Sequence, residues 1–169
     1  YTMLRTDNDG PVEYQYQVTK AGASLPDTII SVAQVPGRGV TDTIAYIIQS
    51  DGDILLQRPA INGGRCWLRL PFGTGAESVR HDTITMASLS FVTTGTRTGS
   101  GTETVGSESL QVQRVTLRQV TTDMNGLSTE NVEHLCYAPS LNLFVADSLL
   151  ATSSTMATTY RLLSHSLKN

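Results

Sequence analysis

The sequence predicts an all-β chain with little helix. Its strands should form a curved antiparallel sheet, either a half-open barrel or a two-layer sandwich. Three observations carry this. Short apolar–polar alternations recur along the chain, with about ten strand candidates in all. Gly- and Pro-rich breaks separate them. No stretch places apolar residues at i, i+3, i+4 and i+7 over three turns, so the helical period is missing. So many strands must curl into a barrel or stack as layers.

The elements follow in order. Residues 1–11 read as an N-terminal arm, ending in the dense turn signal Asn8-Asp9-Gly10-Pro11. Residues 12–169 then read as a single β domain. Residues 12–18 alternate, with Val12, Tyr14, Tyr16 and Val18 on one face. Residues 20–26 break the pattern. Strands follow at 27–35 and 41–50, with a turn at Pro36-Gly37-Arg38-Gly39 between them. Asp51-Gly52-Asp53 is a hairpin turn, because Asp-Gly tolerates the positive φ of a tight reversal. Residues 54–58 return as a strand, 59–64 form a loop, and 66–70 alternate up to Pro71.

Residues 83–94 read as one strand covered on both sides. Residues 93–101 are rich in Gly, Thr and Ser, as in a flexible loop or a long edge hairpin. Residues 103–120 read as a long strand. Its apolar phase shifts from Leu110 and Val112 to Val115 and Leu117, as a β-bulge at Arg114-Val115 would produce. Asn125-Gly126 turns the chain into a partner strand at 128–137, which Pro139 stops. Residues 143–150 are ambiguous. Leu143, Val145 and Asp147 alternate, yet the run would also suit a short helix. Residues 156–167 close the chain as a strand.

Composition narrows the class. The chain has 169 residues, 39% hydrophobic and 16% charged, with a net charge of −3. That balance is globular rather than disordered. It supplies no basic field, so nucleic acid is not an expected partner. No apolar run reaches the ~18–20 residues of a membrane span. The chain starts at Tyr1, as one that begins late or has lost a signal peptide would.

The order of several segments is familiar. Thr102-Glu103-Thr104-Val105-Gly106 leads into residues 110–115. Gly126 follows, then Cys136-Tyr137-Ala138-Pro139-Ser140-Leu141, then Tyr160-Arg161-Leu162-Leu163-Ser164. Over residues 80–167 this resembles uncharacterised bacterial exported β-rich domains. Their folds are similar to half-open barrels of the outer-membrane lipoprotein carrier (LolA/LolB-like) type. The chain departs from the commonest pattern in carrying Gly106-Ser107-Glu108-Ser109-Leu110 after the first Val. The resemblance implies a periplasmic or secreted location and an open barrel shape, and transfers no catalytic residue. The corner itself is physical. Pro139 fixes its own φ and pushes Ala138 into an extended conformation.

Cys66 and Cys136 each stand beside an aromatic residue. In a cytosolic protein two such thiols stay buried and reduced. In an exported one they are disulfide candidates. A bridge would close a loop of about 70 residues, worth roughly 4 kcal/mol.

Chemistry-bearing motifs are few. Gly-x-Ser-x-Gly, a Walker loop and His-Glu-x-x-His are absent. His134 and Cys136 share a strand face and stand near Glu133, a pattern open to metal binding or thiol activation but more simply structural. His81-Asp82 reads as a loop pair, and His165 stands alone. Asp51 and Asp53 lack the ligand spacing of a calcium loop. Asp27, Asp42, Glu103, Glu108, Glu130 and Glu133 are scattered, and only folding would pair any two for acid–base work. No catalytic residue, metal or cofactor is therefore implied. Tyr14, Tyr16, Tyr46, Trp67, Phe91, Tyr137 and Phe144 are the candidates to line a ligand cavity in a half-open barrel, or to fill the core of a closed one.

The functional expectation is a non-catalytic exported binding or scaffold domain. It would hold an apolar small molecule such as a lipid chain, or a protein partner's segment, on a concave sheet. The alternatives are a structural subunit of an envelope or coat assembly, and a hydrolase with a dispersed carboxylate site.

Overall fold

The computed structural model describes residues 1–20, 28–34, 40–59, 65–73, 77–84, 89–151 and 157–165. Its strands are β1 Thr2–Asp7, β2 Gly10–Lys20, β3 Thr28–Gln34, β4 Val40–Ile48, β5 Ile54–Pro59 and β6 Arg65–Leu70. They continue with β7 Glu77–Ile84, β8 Leu89–Val105, β9 Glu108–Thr122, β10 Ser128–Ala138, β11 Leu143–Ala151 and β12 Ala157–Ser164. Among the described residues there is no helix. The all-β expectation is met.

All twelve strands form one antiparallel sheet, in the order β6-β5-β4-β3-β2-β1-β12-β11-β10-β9-β8-β7. The sheet curls. Tyr46, Ile54, Leu56, Leu68, Leu70 and Phe72 pack against Val115, Leu117, Leu135, Tyr137 and Phe144, which brings β4–β6 over β9–β11. A second cluster joins Met3, Tyr16 and Leu162 to Val105, Leu110, Val112, Ala138 and Val145. The curl brings the two edge strands near each other, and the Ser78 hydroxyl donates to the Arg69 carbonyl (2.6 Å). β6 and β7 form no ladder, so the barrel stays open.

Several expectations need correction. The N-terminal arm is strand β1, paired with β2 on one side and β12 on the other. Its Met3 side chain is buried, which gives the segment a reason to join the sheet. The ambiguous run 143–150 is strand β11, because its alternation meets partners on both sides. The single strand expected at 83–94 is divided between β7 and β8, and residues 85–88 lie outside those described. His81-Asp82 belongs to β7 rather than a loop. The Gly/Thr-rich stretch 93–101 is the middle of β8. The bulge falls on β8 between Arg97 and Gly99, not on β9. β9 keeps its register, and its apolar phase changes because opposite faces are covered along its length: Leu110 and Val112 join one cluster, Val115 and Leu117 the other.

The register gives the cylinder two distinct ends. The β1–β2 and β9–β10 hairpins turn at one. The β4–β5, β8–β9 and β10–β11 hairpins turn at the other, where residues 1 and 165 also lie. Gly52 (φ 85°) and Gly126 (φ 79°) supply the left-handed residues in two of these reversals.

Candidate functional site

One end of the curled sheet is plugged. Phe72, on the connection leaving β6, is fully buried. Its ring lies 5.4 Å from Tyr137 and 6.0 Å from Phe144, and Tyr46 meets Phe144 edge-on at 5.3 Å. Such offset and edge contacts add to the burial energy of the rings. The Tyr46 hydroxyl donates to the Asn142 backbone carbonyl, and the Tyr137 hydroxyl donates to Asn142 Oδ1 (3.0 Å). Asn142 sits at φ 53°, in the turn that Ala138-Pro139 begins. The corner seen in the sequence is therefore a rigid seat for two tyrosines. Burial pushes the Tyr137 hydroxyl up to about 12 and that of Tyr46 higher still, so both stay protonated.

Asp53 closes the same end. It is almost fully buried, yet its carboxylate accepts from Arg69 Nε (2.6 Å) and the Gly73 amide (2.8 Å). Arg69 also reaches Asp51 (2.6 Å). Asp51 and Asp53 thus form a structural clasp.

The other end is open. On six strands whose inner side chains are described, burial falls toward it. It goes from Ile54 and Leu56 to Arg58 on β5, and from Leu70 and Leu68 to Cys66 on β6. On β8 it goes from Gly95 and Thr93 to Phe91, and on β9 from Val115 and Leu117 to Gln119 and Thr121. On β10 it goes from Tyr137 and Leu135 to Glu133 and Asn131, and on β11 from Phe144 to Asp147 and Leu149. Residues opposite one another in a ladder share a face, so these side chains line one concave surface.

Its polar centre is Arg58, Glu133 and Asp147. Arg58 on β5 forms an ion pair with Glu133 on β10, spanning the two walls. Glu133 also hydrogen-bonds Asp147, its diagonal neighbour on β11. Burial, then the Glu133 charge, push the Asp147 carboxyl up to about 8, against the opposing pull of Arg58. Asp147 is therefore protonated at neutral pH and shares its proton with Glu133. Its Oδ1 is buried with no partner among the described residues. Beside it, Tyr160 stands opposite Asp147 and Arg5 opposite Tyr160. Arg5 donates to the Tyr14 hydroxyl (3.0 Å) and pairs with Asp7 (2.6 Å).

The structure disperses the aromatic candidates. Tyr46, Tyr137 and Phe144 come together, but in the plug. Tyr16 is buried and stacks on Tyr1 at 4.9 Å. Trp67 alternates with Leu68 and faces the outer side with Arg69. Phe91 and Tyr14 lie on the concave face toward the open end. Arg58, Asp147, Arg5 and Asn142 escaped the sequence reading. The signal for two of them was a charge in an inward phase: Ile54-x-Leu56-x-Arg58 and Val145-x-Asp147. Of the scattered carboxylates, Glu133 gains a carboxyl neighbour.

The disulfide expectation is corrected: both cysteines are free thiols. Cys66 lies opposite Arg58 on the concave face of β6. Cys136 alternates with Leu135 and Tyr137, so it points away from that face. Thiols directed to opposite sides of a wall cannot meet the geometry of a bridge. Burial pushes the Cys136 thiol up, opposed by Arg114. His134 Nδ1 contacts the Thr116 hydroxyl (2.9 Å), and His165 contacts Glu108 (3.0 Å). Among the described residues no group of three or more His, Cys, Asp or Glu could hold a metal. Nor is any helix among them long and apolar enough to cross a membrane.

No protein-family model matches the chain. No curated protein matches it either. Among solved structures it is similar to a protein of Parabacteroides distasonis provisionally named a lipoprotein, with a TM-score of 0.54. The two share 10% sequence identity over 95% of this chain and 91% of the other. At that identity the likeness is one of fold alone.

Proposed function

We propose that this chain is an exported, envelope-associated β domain that binds rather than catalyses. The open end of its concave face would take an apolar ligand, such as an acyl chain. One observation carries the reading: the strands whose inner side chains are described are filled at the plugged end and thin to half-exposed side chains at the open end. Phe91, Ile44 and Leu149 offer apolar contact there, and Arg58 with the carboxyl pair offers a few placed polar groups. The lipoprotein name of the fold neighbour supports export, as does the resemblance of residues 80–167 to bacterial exported β-rich domains. Glu133 is committed to Arg58, and Asp147 to Glu133, an arrangement that suits a strut better than an acid–base pair facing a substrate.

The test is titration with the apolar fluorophore N-phenylnaphthylamine, beside native mass spectrometry after gentle purification. Saturable binding that weakens at least about fivefold in Phe91→Ser, a change of about 1 kcal/mol, supports the site. A protein that takes up neither probe nor co-purifying ligand removes it.

A further inference from the structure

Polar side chains are treated differently on the two faces of β9 and β10. The outer face pairs them across the ladder. The Thr116 hydroxyl contacts His134 Nδ1 (2.9 Å), Arg118 holds Glu130 through two hydrogen bonds (2.6 and 3.0 Å), and the Thr122 and Ser128 hydroxyls meet at 2.9 Å. The concave face of the same strands leaves them apart. Gln119 stands opposite Asn131 on β10 and opposite Thr93 on β8. Its amide reaches the Thr93 hydroxyl only at 3.5 Å, the limit of a hydrogen bond. Among the described residues, the Asn131 amide and the Thr121 hydroxyl make no side-chain hydrogen bond. Thr93 is buried, and Gln119, Thr121 and Asn131 are half-buried. A donor or acceptor left unpaired costs more where it is sheltered from water. Here the sheltered face is the one with donors and acceptors to spare.

Their chemistry narrows the occupant. The β8–β9 and β9–β10 ladders run through this patch, so its backbone is already paired and a peptide strand cannot add to it. What remains is side-chain hydroxyl and amide groups, which both donate and accept. Phe91 lies opposite Thr121 and sets an aromatic ring beside them. Three neighbouring strands, and two inward positions along each, span an area of about 10 Å by 7 Å. That is the size of one or two sugar rings. A sugar carries hydroxyls that donate and accept around a ring with an apolar C–H face, and so matches the polar groups and the aromatic together.

We propose that the concave site takes a glycosylated amphiphile. Its sugar head lies against Thr93, Gln119, Thr121 and Asn131, with Phe91 alongside, and its alkyl chain takes the apolar contacts of Ile44 and Leu149. The proposal rests on the apolar-ligand reading above and adds the class of head group to it.

Displacement of N-phenylnaphthylamine from the whole chain tests it. Two uncharged amphiphiles with the same dodecyl chain compete, each below its micelle concentration: dodecyl maltoside and dodecyl pentaethylene glycol ether. The sugar head donates and accepts, whereas the ether units only accept. Dodecyl maltoside is expected to displace the probe at a concentration at least about fivefold lower, the worth of one hydrogen bond. Thr121→Val with Asn131→Leu should bring the two amphiphiles within about twofold of each other. Thr122→Val with Ser128→Ala, on the outer face, should leave the gap in place. Urea midpoints check that both double variants fold, and Asn131→Leu alone, which should at least halve the gap, serves if the inner pair does not. Equal displacement by the two amphiphiles, or a gap that survives the inner-face changes, overturns the sugar head and leaves the apolar cavity standing. A protein that does not take up N-phenylnaphthylamine removes the cavity and the head together.

Discussion

Replacing Asp147 with Asn should remove a pH dependence that the wild-type fold cannot avoid. In the unfolded chain this carboxyl loses its proton near 3.8; in the fold it holds it to about 8. Between those values the folded chain carries a proton that the unfolded chain lacks. The contribution to stability is therefore complete below about pH 4 and is lost as pH climbs through about 8. At about 1.36 kcal/mol for each unit between the two values, the full difference is about 6 kcal/mol. Arg58 can swing toward a newly ionised Asp147, and water at the open end screens the charge. We therefore expect an actual loss of about 2–3 kcal/mol. With a urea slope of about 2 kcal/mol/M, the unfolding midpoint should fall by about 1 M between pH 4 and pH 9. In Asp147→Asn the amide keeps a donor for Glu133 and has nothing to titrate. Its midpoint should stay level, and above pH 8 it should exceed the wild type. Urea unfolding in half-unit pH steps decides the matter. A wild-type midpoint that does not move, or a variant that falls in parallel with it, would refute the shared-proton account.

The plug and the clasp make further predictions. Phe72→Ala empties the centre of the aromatic cluster and should cost about 3–5 kcal/mol in urea unfolding. Gly73→Ala would place a Cβ 2.0 Å from the Asp51 carbonyl oxygen. Because the obstacle is backbone, about 2–4 kcal/mol should be lost as the Asp53 contact opens. Gly101→Ala would place a Cβ 2.1 Å from the Arg114 guanidinium, the nearest group it meets. That side chain can swing away, so the cost should stay below about 1 kcal/mol. Asn142→Ala loses the Tyr137 hydrogen bond and puts alanine, which tolerates the left-handed region less well than asparagine, at φ 53°, for about 1–2 kcal/mol. Both cysteines should titrate with a thiol reagent in denaturant without prior reduction, and a mass shift on reduction would contradict the free thiols.

Much of the sheet was legible because alternation survives folding. Residues 12–18, 54–58, 66–70 and 128–137 declared their strands, and Asp51-Gly52-Asp53 and Asn125-Gly126 declared their turns. What misled was local chemistry overridden by partners. A glycine-rich stretch reads as a loop, yet β8 is clamped between β7 and β9, and its Gly95 leaves room for Pro71 and Leu117. The arm at 1–11 has no strong alternation of its own and is strand because β2 and β12 flank it. The open-end site was harder still. Arg58 and Glu133 are 75 residues apart, and nothing in either segment names the other. Their meeting depends on how far the sheet curls, which is set by the size of the side chains filling the far end. The aromatic candidates were the right residue types for a core, and the core is where most of them went.

Both described chain ends emerge beside the plug, with Tyr1 anchored by its amine to the Tyr16 carbonyl (3.0 Å). A tether fixed at Tyr1 or at His165 therefore holds the molecule by its base and leaves the mouth facing outward. Immobilised preparations can be oriented by that choice alone. A linker inserted at the β9–β10 turn would do the reverse and press the entrance against its support.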